Sequence, residues 1–249
     1  MTDAIRFEMK GDVAELCLCA PERRNAIGSQ EISLVKSAID CIPDTCRLFV
    51  IRSKGPVFCA GANLKEITDG TMDGDDFQSM TNAIASLAMP SLAIVEGDVF
   101  GGGAELLFSC DFRLGVTGKH LKIPAAAVGL CYPVEGIQRM TQRLGSTLVR
   151  KLLLTTELVS FEELAQHNAF DWLVPSNQIE AESKALIARL SGLAPLSMAA
   201  MLAIIKSVEE GSFDLITAQA MADRCNQSED LSEGLLATRE KRVPTFKGE

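Results

Sequence analysis

Apolar positions near the start of the chain predict two strands, a helix and a third strand. Residues 5–9 alternate between apolar and polar, and after a glycine-containing turn residues 13–19 return as the second strand of a hairpin. Apolar residues then recur at spacings of three and four, which predicts a helix that Ser29 caps and Pro43 terminates. Residues 48–51 are a continuous apolar run, typical of a buried strand. The predicted order is β-β-α-β.

The same pattern predicts a second round of α/β elements and then a helical tail. A helix over about residues 75–88 precedes a strand at residues 92–95, a glycine run, a helix through Leu106 and a strand at residues 112–116. Beyond about Val134 the chain is almost wholly helical. Predicted features of this part are caps at Ser146 and Ser160, an extended piece at 170–174 and helices at 178–190, 196–209, 214–227 and 230–241. We expect such a tail to dock on its own core or on a neighbouring subunit.

The composition is that of a globular protein with one large domain, or one domain with an appendage. Of the 249 residues, 47% are hydrophobic and 23% are charged. The first residues carry charge at once and show no apolar run with a cleavage site, so we expect no export. The most apolar stretch, residues 84–95, is interrupted by Pro90 and falls short of the roughly 18 residues that span a bilayer. We expect a cytoplasmic protein without a membrane span.

Cysteine usage and charge exclude further classes of protein. The eight cysteines are scattered without a Cys-x-x-Cys pair and only two histidines accompany them, so we expect buried thiols rather than disulfides or a metal site. Cys59 differs in lying inside a loop with candidate chemistry. A net charge of −9 argues against a nucleic-acid partner. An anionic ligand would need local positive charge, for which the candidates are Arg23, Arg24, Lys65, Lys241, Arg242 and Lys247.

Two glycine-containing loops, residues 55–65 and 96–105, each follow a predicted strand and lead toward a helix. Glycine permits close approach to the backbone, and N–H groups at a helix start carry the positive end of the helix dipole. Two such donors could hold the oxyanion of a thioester enolate, each worth about 3–4 kcal/mol of barrier. Close packing of a helix against a strand explains residues 101–103 equally well. The dinucleotide spacing G-x-G-x-x-G and the Gly-Lys-Ser/Thr of phosphate loops are not found here.

Five segments together resemble the enoyl-CoA hydratase/isomerase (crotonase) superfamily. Residues 58–66 (FCAGANLKE) and 101–106 (GGGAEL) are similar to its two signature loops. Residues 21–26 resemble its early coenzyme-A loop, residues 124–129 its later active-site loop, and residues 240–246 its C-terminus. Each motif is moderately specific by itself. Their shared order and spacing extend the resemblance over nearly the whole chain.

The resemblance implies an α/β fold, a crotonase (ClpP-like) spiral of β-β-α units over residues 1–190. A helical C-terminal region at residues 191–249 would serve trimerisation and complete the acyl-CoA site. The backbone N–H groups of Ala62 and Gly102 would form the oxyanion hole. The implied partners are an acyl-CoA substrate, with coenzyme A as part of the substrate and no separate cofactor or metal, and further copies of the chain in a trimer or dimer of trimers. Implied coenzyme-A contacts are Arg24, Ala26, Ala60, Lys65 and Lys241.

The acid/base residues leave the reaction open. Hydratases of this family use two glutamates to activate the water that adds across the double bond, which suits a step that both takes and delivers a proton. Glu105 matches the first glutamate, but Ala125 stands at the second position and cannot transfer a proton. Classical two-glutamate hydration is therefore in doubt. Glu105 has an alternative role in the first turn of its helix, where a carboxylate favours the helix dipole.

Tyr132, the only tyrosine in the chain, suggests a second reaction. Residues 129–137 are similar to the corresponding stretch of the family's methylmalonyl-CoA decarboxylases, in which a tyrosine contacts the acyl group of the substrate. Against this, Ala62 stands where the bacterial decarboxylases usually have histidine. A packing role for the aromatic ring is the alternative. Glu135 is a further candidate to replace the missing carboxylate.

Three functional hypotheses remain open from the sequence. The first is hydration or isomerisation of an enoyl-CoA in fatty-acid or related acyl-CoA metabolism, with Glu105 as the acid/base. The second is decarboxylation of a methylmalonyl-CoA or ethylmalonyl-CoA substrate, for which Tyr132 and Ala125 are the motive. The third is a family member without catalysis that binds acyl-CoA or serves assembly.

Overall fold

The computed structural model describes residues 4–249. The strands are Ile5–Lys10 (β1), Val13–Leu18 (β2), Leu48–Ser53 (β3), Val57–Cys59 (β4), Ser91–Val95 (β5), Asp98–Phe100 (β6), Phe112–Val116 (β7), His120–Lys122 (β8), Val159–Ser160 (β9) and Trp172–Val174 (β10). The α-helices are Ser29–Asp40 (α1), Leu64–Thr68 (α2), Gly74–Ala85 (α3), Gly102–Ser109 (α4), Val134–Leu144 (α5), Ser146–Arg150 (α6), Phe161–Gln166 (α7), Ile179–Ser191 (α8), Pro195–Glu209 (α9), Leu215–Asn226 (α10) and Glu229–Glu240 (α11). Short 3-10 turns lie at Pro21–Arg23, Ala125–Val128 and Ser176–Gln178, and a π-helical turn at Lys151–Thr155.

The strands of residues 4–249 form two sheets. The larger has the order β1-β2-β3-β5-β7-β10, with an antiparallel hairpin between β1 and β2 and parallel pairing elsewhere. The smaller has the order β4-β6-β8-β9, with parallel pairs β4-β6 and β6-β8 and an antiparallel pair β8-β9. Parallel neighbours need long crossover connections, and most of the helices before residue 134 lie in those connections.

The inner strands of the larger sheet are buried on both faces. Along β3, Phe49 and Ile51 belong to the main core with the side chains of α1, α3 and α4, whereas Leu48 and Val50 pack on the opposite face with α8. A strand covered on both sides needs apolar residues at every position instead of at alternate ones. The continuous apolar run at residues 48–51 therefore follows from the sheet's place between two helical layers.

Most of the elements predicted from hydrophobic periodicity are confirmed to within a few residues. These include the hairpin, the helix that becomes α1, the strands at 48–51, 92–95 and 112–116, and the four final helices. The cap predicted at Ser160 is also confirmed, because its hydroxyl accepts a hydrogen bond from the Glu163 N–H at 3.2 Å. The helix predicted over 75–88 ends earlier, at Ala85.

Two predicted helix caps are wrong. Gly28, not Ser29, caps α1, and the Glu31 carboxylate accepts a hydrogen bond from the Gly28 N–H at 2.9 Å. A Cβ at Gly28 would overlap the end of the Glu66 side chain, so a larger residue at this cap would displace that carboxylate. Ser146 is likewise the first residue of α6, after a glycine cap with φ of 77°.

The smaller sheet was not predicted from the sequence. Its strands are two or three residues long, too short for an alternating pattern to stand out from the loops around them. This sheet nonetheless positions the candidate site, because β4, β6 and β8 lead directly into the three loops that carry it.

The C-terminal helices expose much of their apolar surface. No side chain of α9 or α10 is buried within residues 4–249. Among these residues, no single helix is long and apolar enough to cross a membrane. One pair bent by 97°, Ser176–Ser191 with Pro195–Glu209, passes that test by length and composition alone. The exposed apolar side chains of this region are Met201, Ile205, Val208, Phe213, Leu215, Ile216, Leu231, Leu235, Leu236 and Val243.

Candidate active site

Three neighbouring strands of the smaller sheet bring the candidate residues to one edge. β4, β6 and β8 are parallel neighbours. The loop after β4 contains Ala62, the loop after β6 leads into Gly102, and the loop after β8 contains Ala125. Because parallel strands end at the same edge of a sheet, the strand pairing places these three loops side by side.

Glycines allow the first two loops to touch. A Cβ on Gly61 would lie 2.4 Å from the Gly102 nitrogen, and a Cβ on Gly103 would lie 2.4 Å from the Cys59 carbonyl oxygen. Gly61 and Gly101 also have φ values of 86° and 52°, in the left-handed region that favours glycine. Close packing therefore accounts for Gly61 and Gly103, while Gly102 lies at the contact between the two loops.

The N–H groups of Ala62 and Gly102 have no acceptor within residues 4–249. Ala62 forms a parallel bridge with Ile27, in which the Ile27 N–H donates to the Gly61 carbonyl at 2.9 Å and the Asn63 N–H donates to the Ile27 carbonyl at 2.7 Å. In such a bridge the N–H of the central residue points away from the partner. Gly102 is the first residue of α4, where N–H groups lack intrahelical partners. The two loops thus present two free backbone donors.

Glu105 lies on the first turn of α4 and is only 1% exposed. Its Oε1 accepts a hydrogen bond from the Thr81 hydroxyl at 2.8 Å and lies 3.8 Å from Nη1 of Arg139. Its Oε2 is buried without a hydrogen-bond partner in the described chain. Burial raises the pKa of Glu105 above its ordinary value of 4.5, and the Thr81 hydrogen bond and the Arg139 charge oppose that rise. One oxygen is therefore held by the protein, and the other has no hydrogen-bond partner among residues 4–249.

Three residues around Glu105 were not predicted from the sequence. Thr81 on α3 and Arg139 on α5 hold its carboxylate, and Arg139 is itself tied to α3 by a hydrogen bond from Nη2 to Oδ1 of Asn82 at 2.5 Å. A Cβ on Gly136 would lie 2.8 Å from Cδ of Glu105, so this glycine makes room for the carboxylate. Their sequence signal is weak, because a Thr and an Arg on amphipathic helices look like surface residues until the helices are packed.

Tyr132 and Ala125 both belong to the main buried core. The Tyr132 hydroxyl donates to the Gly101 carbonyl oxygen at 3.2 Å. Burial raises the pKa of the Tyr132 phenol well above its ordinary value, and the nearby Glu105 charge adds to the rise. The phenol therefore stays neutral and keeps the proton that it donates to the Gly101 carbonyl.

Glu135, the candidate substitute for the missing carboxylate, is exposed at the start of α5. Its carboxylate accepts a hydrogen bond from Nδ2 of Asn82, and its N–H donates to Oε1 of Gln78 at 3.2 Å. Its charge makes a small contribution to the raised pKa of Glu105, so the two carboxylates are electrostatically coupled. The contacts of Glu135 nevertheless hold it on α3, outside the buried cluster.

The structure brings three of the predicted coenzyme-A residues together beside Ala62. The Ala60 N–H donates to the Arg24 carbonyl at 2.9 Å, and Ala26 lies between Arg24 and the Ile27 bridge. Asn25 clamps this loop, since its Nδ2 donates to the carbonyls of residues 54 and 57 at 2.9 and 2.7 Å. The exposed Arg24 guanidinium lies 4.8 Å from the centroid of the Phe100 ring.

Lys65 and Lys241 are placed differently from one another. Lys65 is exposed at the start of α2, three residues after Ala62. Lys241 follows α11 and is exposed, with no hydrogen bond or ion pair from its side chain among residues 4–249. The residues after it run back along α11, where Nη2 of Arg47 donates to the Phe246 carbonyl at 2.5 Å. Arg47 precedes β3, whereas the candidate loops follow β4, β6 and β8. The described chain therefore gives the Lys241 side chain no hydrogen bond or ion pair to those loops.

Cys59 is fully buried at the end of β4. Burial raises the pKa of its thiol to about 12, so it is not a nucleophile at neutral pH. Its sulfur accepts a hydrogen bond from the Gly61 N–H at 3.3 Å. The buried sulfur of Cys59 therefore helps to hold the loop at Gly61.

Residues 8–249 match the sequence model of the enoyl-CoA hydratase/isomerase family. A probable enoyl-CoA hydratase of Bacillus subtilis is 30% identical, with 99% of this chain and 100% of that protein covered. The mitochondrial methylglutaconyl-CoA hydratase of Mus musculus is 29% identical, with 91% of this chain and 76% of that protein covered.

Solved structures show the same fold. An enoyl-CoA hydratase/carnithine racemase from Magnetospirillum magneticum superposes with a TM-score of 0.92 at 22% identity, covering 100% of this chain and 97% of that chain. An enoyl-CoA hydratase from Bacillus anthracis superposes with a TM-score of 0.88 at 22% identity, covering 99% and 100%.

Proposed function

We propose, since the chain belongs to the enoyl-CoA hydratase/isomerase family, that the free N–H groups of Ala62 and Gly102 bind the carbonyl oxygen of an acyl-CoA thioester. Withdrawal of a proton from the α-carbon puts negative charge on that oxygen. Two preorganised donors stabilise this charge more than they stabilise the neutral thioester. The observation that carries the proposal is the pair of unpartnered donors across the contact of the two loops.

Proton transfer by a single carboxylate fits the site better than addition of water. The free Oε2 of Glu105 would remove a proton from C2 of a 3-enoyl-CoA and deliver it to C4, which moves the double bond from C3–C4 to C2–C3. The balance needs no further reactant. Hydration needs a second group to activate water, and Ala125 offers none. Isomerisation of an enoyl-CoA is therefore the favoured reaction within the family's repertoire.

We expect 3-hexenoyl-CoA to be isomerised to the conjugated 2-enoyl thioester faster than crotonyl-CoA is hydrated, as followed by absorbance of the conjugated thioester. An Ala125→Glu variant supplies the missing carboxylate and should raise the hydration rate relative to isomerisation. Faster hydration than isomerisation by the natural chain would contradict the single-carboxylate assignment.

Decarboxylation of a branched malonyl-CoA is the second candidate. It also forms a thioester enolate and needs no pair of carboxylates. The motive is Tyr132 together with Ala125 at the second carboxylate position. Release of carbon dioxide from methylmalonyl-CoA or ethylmalonyl-CoA, without isomerase activity, would select this reaction. Absence of turnover with all of these thioesters would instead select the non-catalytic hypothesis.

The coenzyme-A part of the substrate is proposed to lie along Arg24, Ala26, Ala60 and Lys65. The hydrogen bonds between the loops of Arg24 and Ala60 support one continuous surface beside Ala62, and the exposed cations suit phosphate groups. Lys241 would reach this surface from a neighbouring subunit, because residues 4–249 give its side chain no hydrogen bond or ion pair to the loops.

Assembly into a trimer or a dimer of trimers is proposed for the helical region. The motive is the number of exposed large apolar side chains that α9, α10 and α11 carry. We expect light scattering to give a mass three or six times the 26.8 kDa of one chain. Ile216→Glu should dissociate the assembly, because Ile216 is 80% exposed in the single chain. Leu34→Glu, on the exposed side of α1, is the matched control and should not; dissociation by both variants would contradict this interface.

A further inference from the structure

The Tyr132 hydroxyl contacts the backbone of the loop that leads into Gly102. The hydroxyl donates to the Gly101 carbonyl at 3.2 Å, and the Tyr132 ring lies in the main core, 6% exposed. A buried phenol needs a hydrogen-bond partner to offset its desolvation, and the Gly101 carbonyl meets that need. The hydroxyl is thereby directed at the backbone of the loop.

The Gly101 carbonyl and the Gly102 N–H belong to one peptide unit. A trans peptide is planar, so its C=O and N–H bonds point in opposite directions, and a bond made to the oxygen also orients the hydrogen. We propose that Tyr132 is a positioning residue of the oxyanion hole, acting on the Gly102 N–H through the Gly101 carbonyl. The inference rests on the proposed function, since it takes Gly102 to be a donor to the thioester oxygen.

A second donor on this carbonyl has a chemical effect beyond holding the loop. The Gly101 oxygen already accepts the Ala104 N–H at 3.0 Å, so Tyr132 adds a bond to the other lone pair. Hydrogen bonds in a chain polarise one another, with strengthening of about 10–30% per bond. The more polarised peptide has a more acidic Gly102 N–H. This gain strengthens the hydrogen bond to the charged enolate oxygen more than the hydrogen bond to the neutral thioester oxygen. One oxyanion-hole donor is worth about 10²–10³-fold in rate. Strengthening its hydrogen bond by about 10–30% therefore predicts about a two- to eightfold contribution to kcat.

The local geometry separates this effect from folding. In Tyr132→Phe the ring keeps its packing and the Gly101 carbonyl keeps the Ala104 donor, so the loop has no reason to collapse. We expect kcat to fall about two- to eightfold with KM changed less than twofold.

The decisive measurement is the infrared band of the thioester carbonyl in bound butyryl-CoA carrying ¹³C at that carbon. Butyryl-CoA has no double bond to isomerise, so its band reports polarisation by the hole alone. In the natural protein we expect the band below its solution frequency, and in Tyr132→Phe a smaller displacement. Replacing Tyr132 by 3-fluorotyrosine, a more acidic phenol of nearly the same shape, should displace the band further than the natural residue does.

Thr81→Val is the matched control. It also removes a buried hydroxyl, but one that contacts Glu105 instead of the loop, so it should leave the carbonyl band in place. Equal bands in the natural protein, Tyr132→Phe and the fluorotyrosine protein would overturn the inference while leaving the oxyanion hole intact. A band at the solution frequency in the natural protein would overturn the oxyanion hole itself, and the inference with it.

Discussion

Gly102→Pro is expected to lower kcat by about 10²–10³-fold, because it deletes one oxyanion-hole donor, typically worth about 2.7–4 kcal/mol. Proline is tolerated at the first position of a helix, which Gly102 occupies in α4, since that N–H makes no intrahelical bond. Gly101 has ψ of −124°, outside the α region that a following proline disfavours. The helix should therefore form while the donor is lost. Steady-state kinetics with 3-hexenoyl-CoA measure the effect.

Gly102→Ala controls for the Cβ that proline adds. Any side chain at this position brings a Cβ to 2.8 Å from Cζ of Phe77, so both variants force the same ring to move. Alanine keeps the N–H and proline does not. We expect most of the loss in kcat to separate Gly102→Pro from Gly102→Ala. Similar kcat values for the two variants would show that the Gly102 N–H is not a donor to the transition state.

Glu105→Gln is expected to lower kcat by about 10²–10⁴-fold, the usual contribution of a positioned acid/base group. Glutamine has nearly the same shape and can still accept the Thr81 hydrogen bond, but it cannot take a proton. For the natural enzyme we expect kcat/KM to rise with pH above 4.5, as the carboxyl with its raised pKa ionises to the base. A variant that keeps the natural rate would remove Glu105 from the mechanism.

The same substitution has a signature in stability. A carboxyl whose pKa is raised on folding binds its proton more tightly in the folded state. At pH values between the unfolded and folded pKa, the folded state therefore carries more bound proton than the unfolded state. The free energy of unfolding contributed by Glu105 is therefore fully present below about the ordinary value of 4.5 and is lost as pH rises through the folded pKa. Glu105→Gln cannot titrate and should lack this fall. Chemical denaturation of both proteins at several pH values above 4.5 measures it, and an identical pH dependence would contradict the raised pKa.

The local sequence determined the order of the main elements and the family. Period-two and period-3.6 patterns depend only on which face of a strand or helix is buried. The hairpin, α1, β3 and the last four helices could therefore be predicted from the sequence alone. The motifs at residues 58–66 and 101–106 likewise predicted the crotonase α/β fold, which the matching family and solved structures confirm. The division at residue 190 and the roles of the site residues remain predictions.

Tertiary structure alone decided how those motifs become a site. The smaller sheet has strands too short to show a pattern, yet its parallel pairing sets the loops of Ala62 and Gly102 edge to edge. Thr81 and Arg139 are distant in sequence from Glu105, and only the packing of three helices makes them partners of its carboxylate. The sequence identified Tyr132 as a candidate without its partner, because a hydrogen bond from a side chain to a distant backbone carbonyl leaves no periodic or compositional trace.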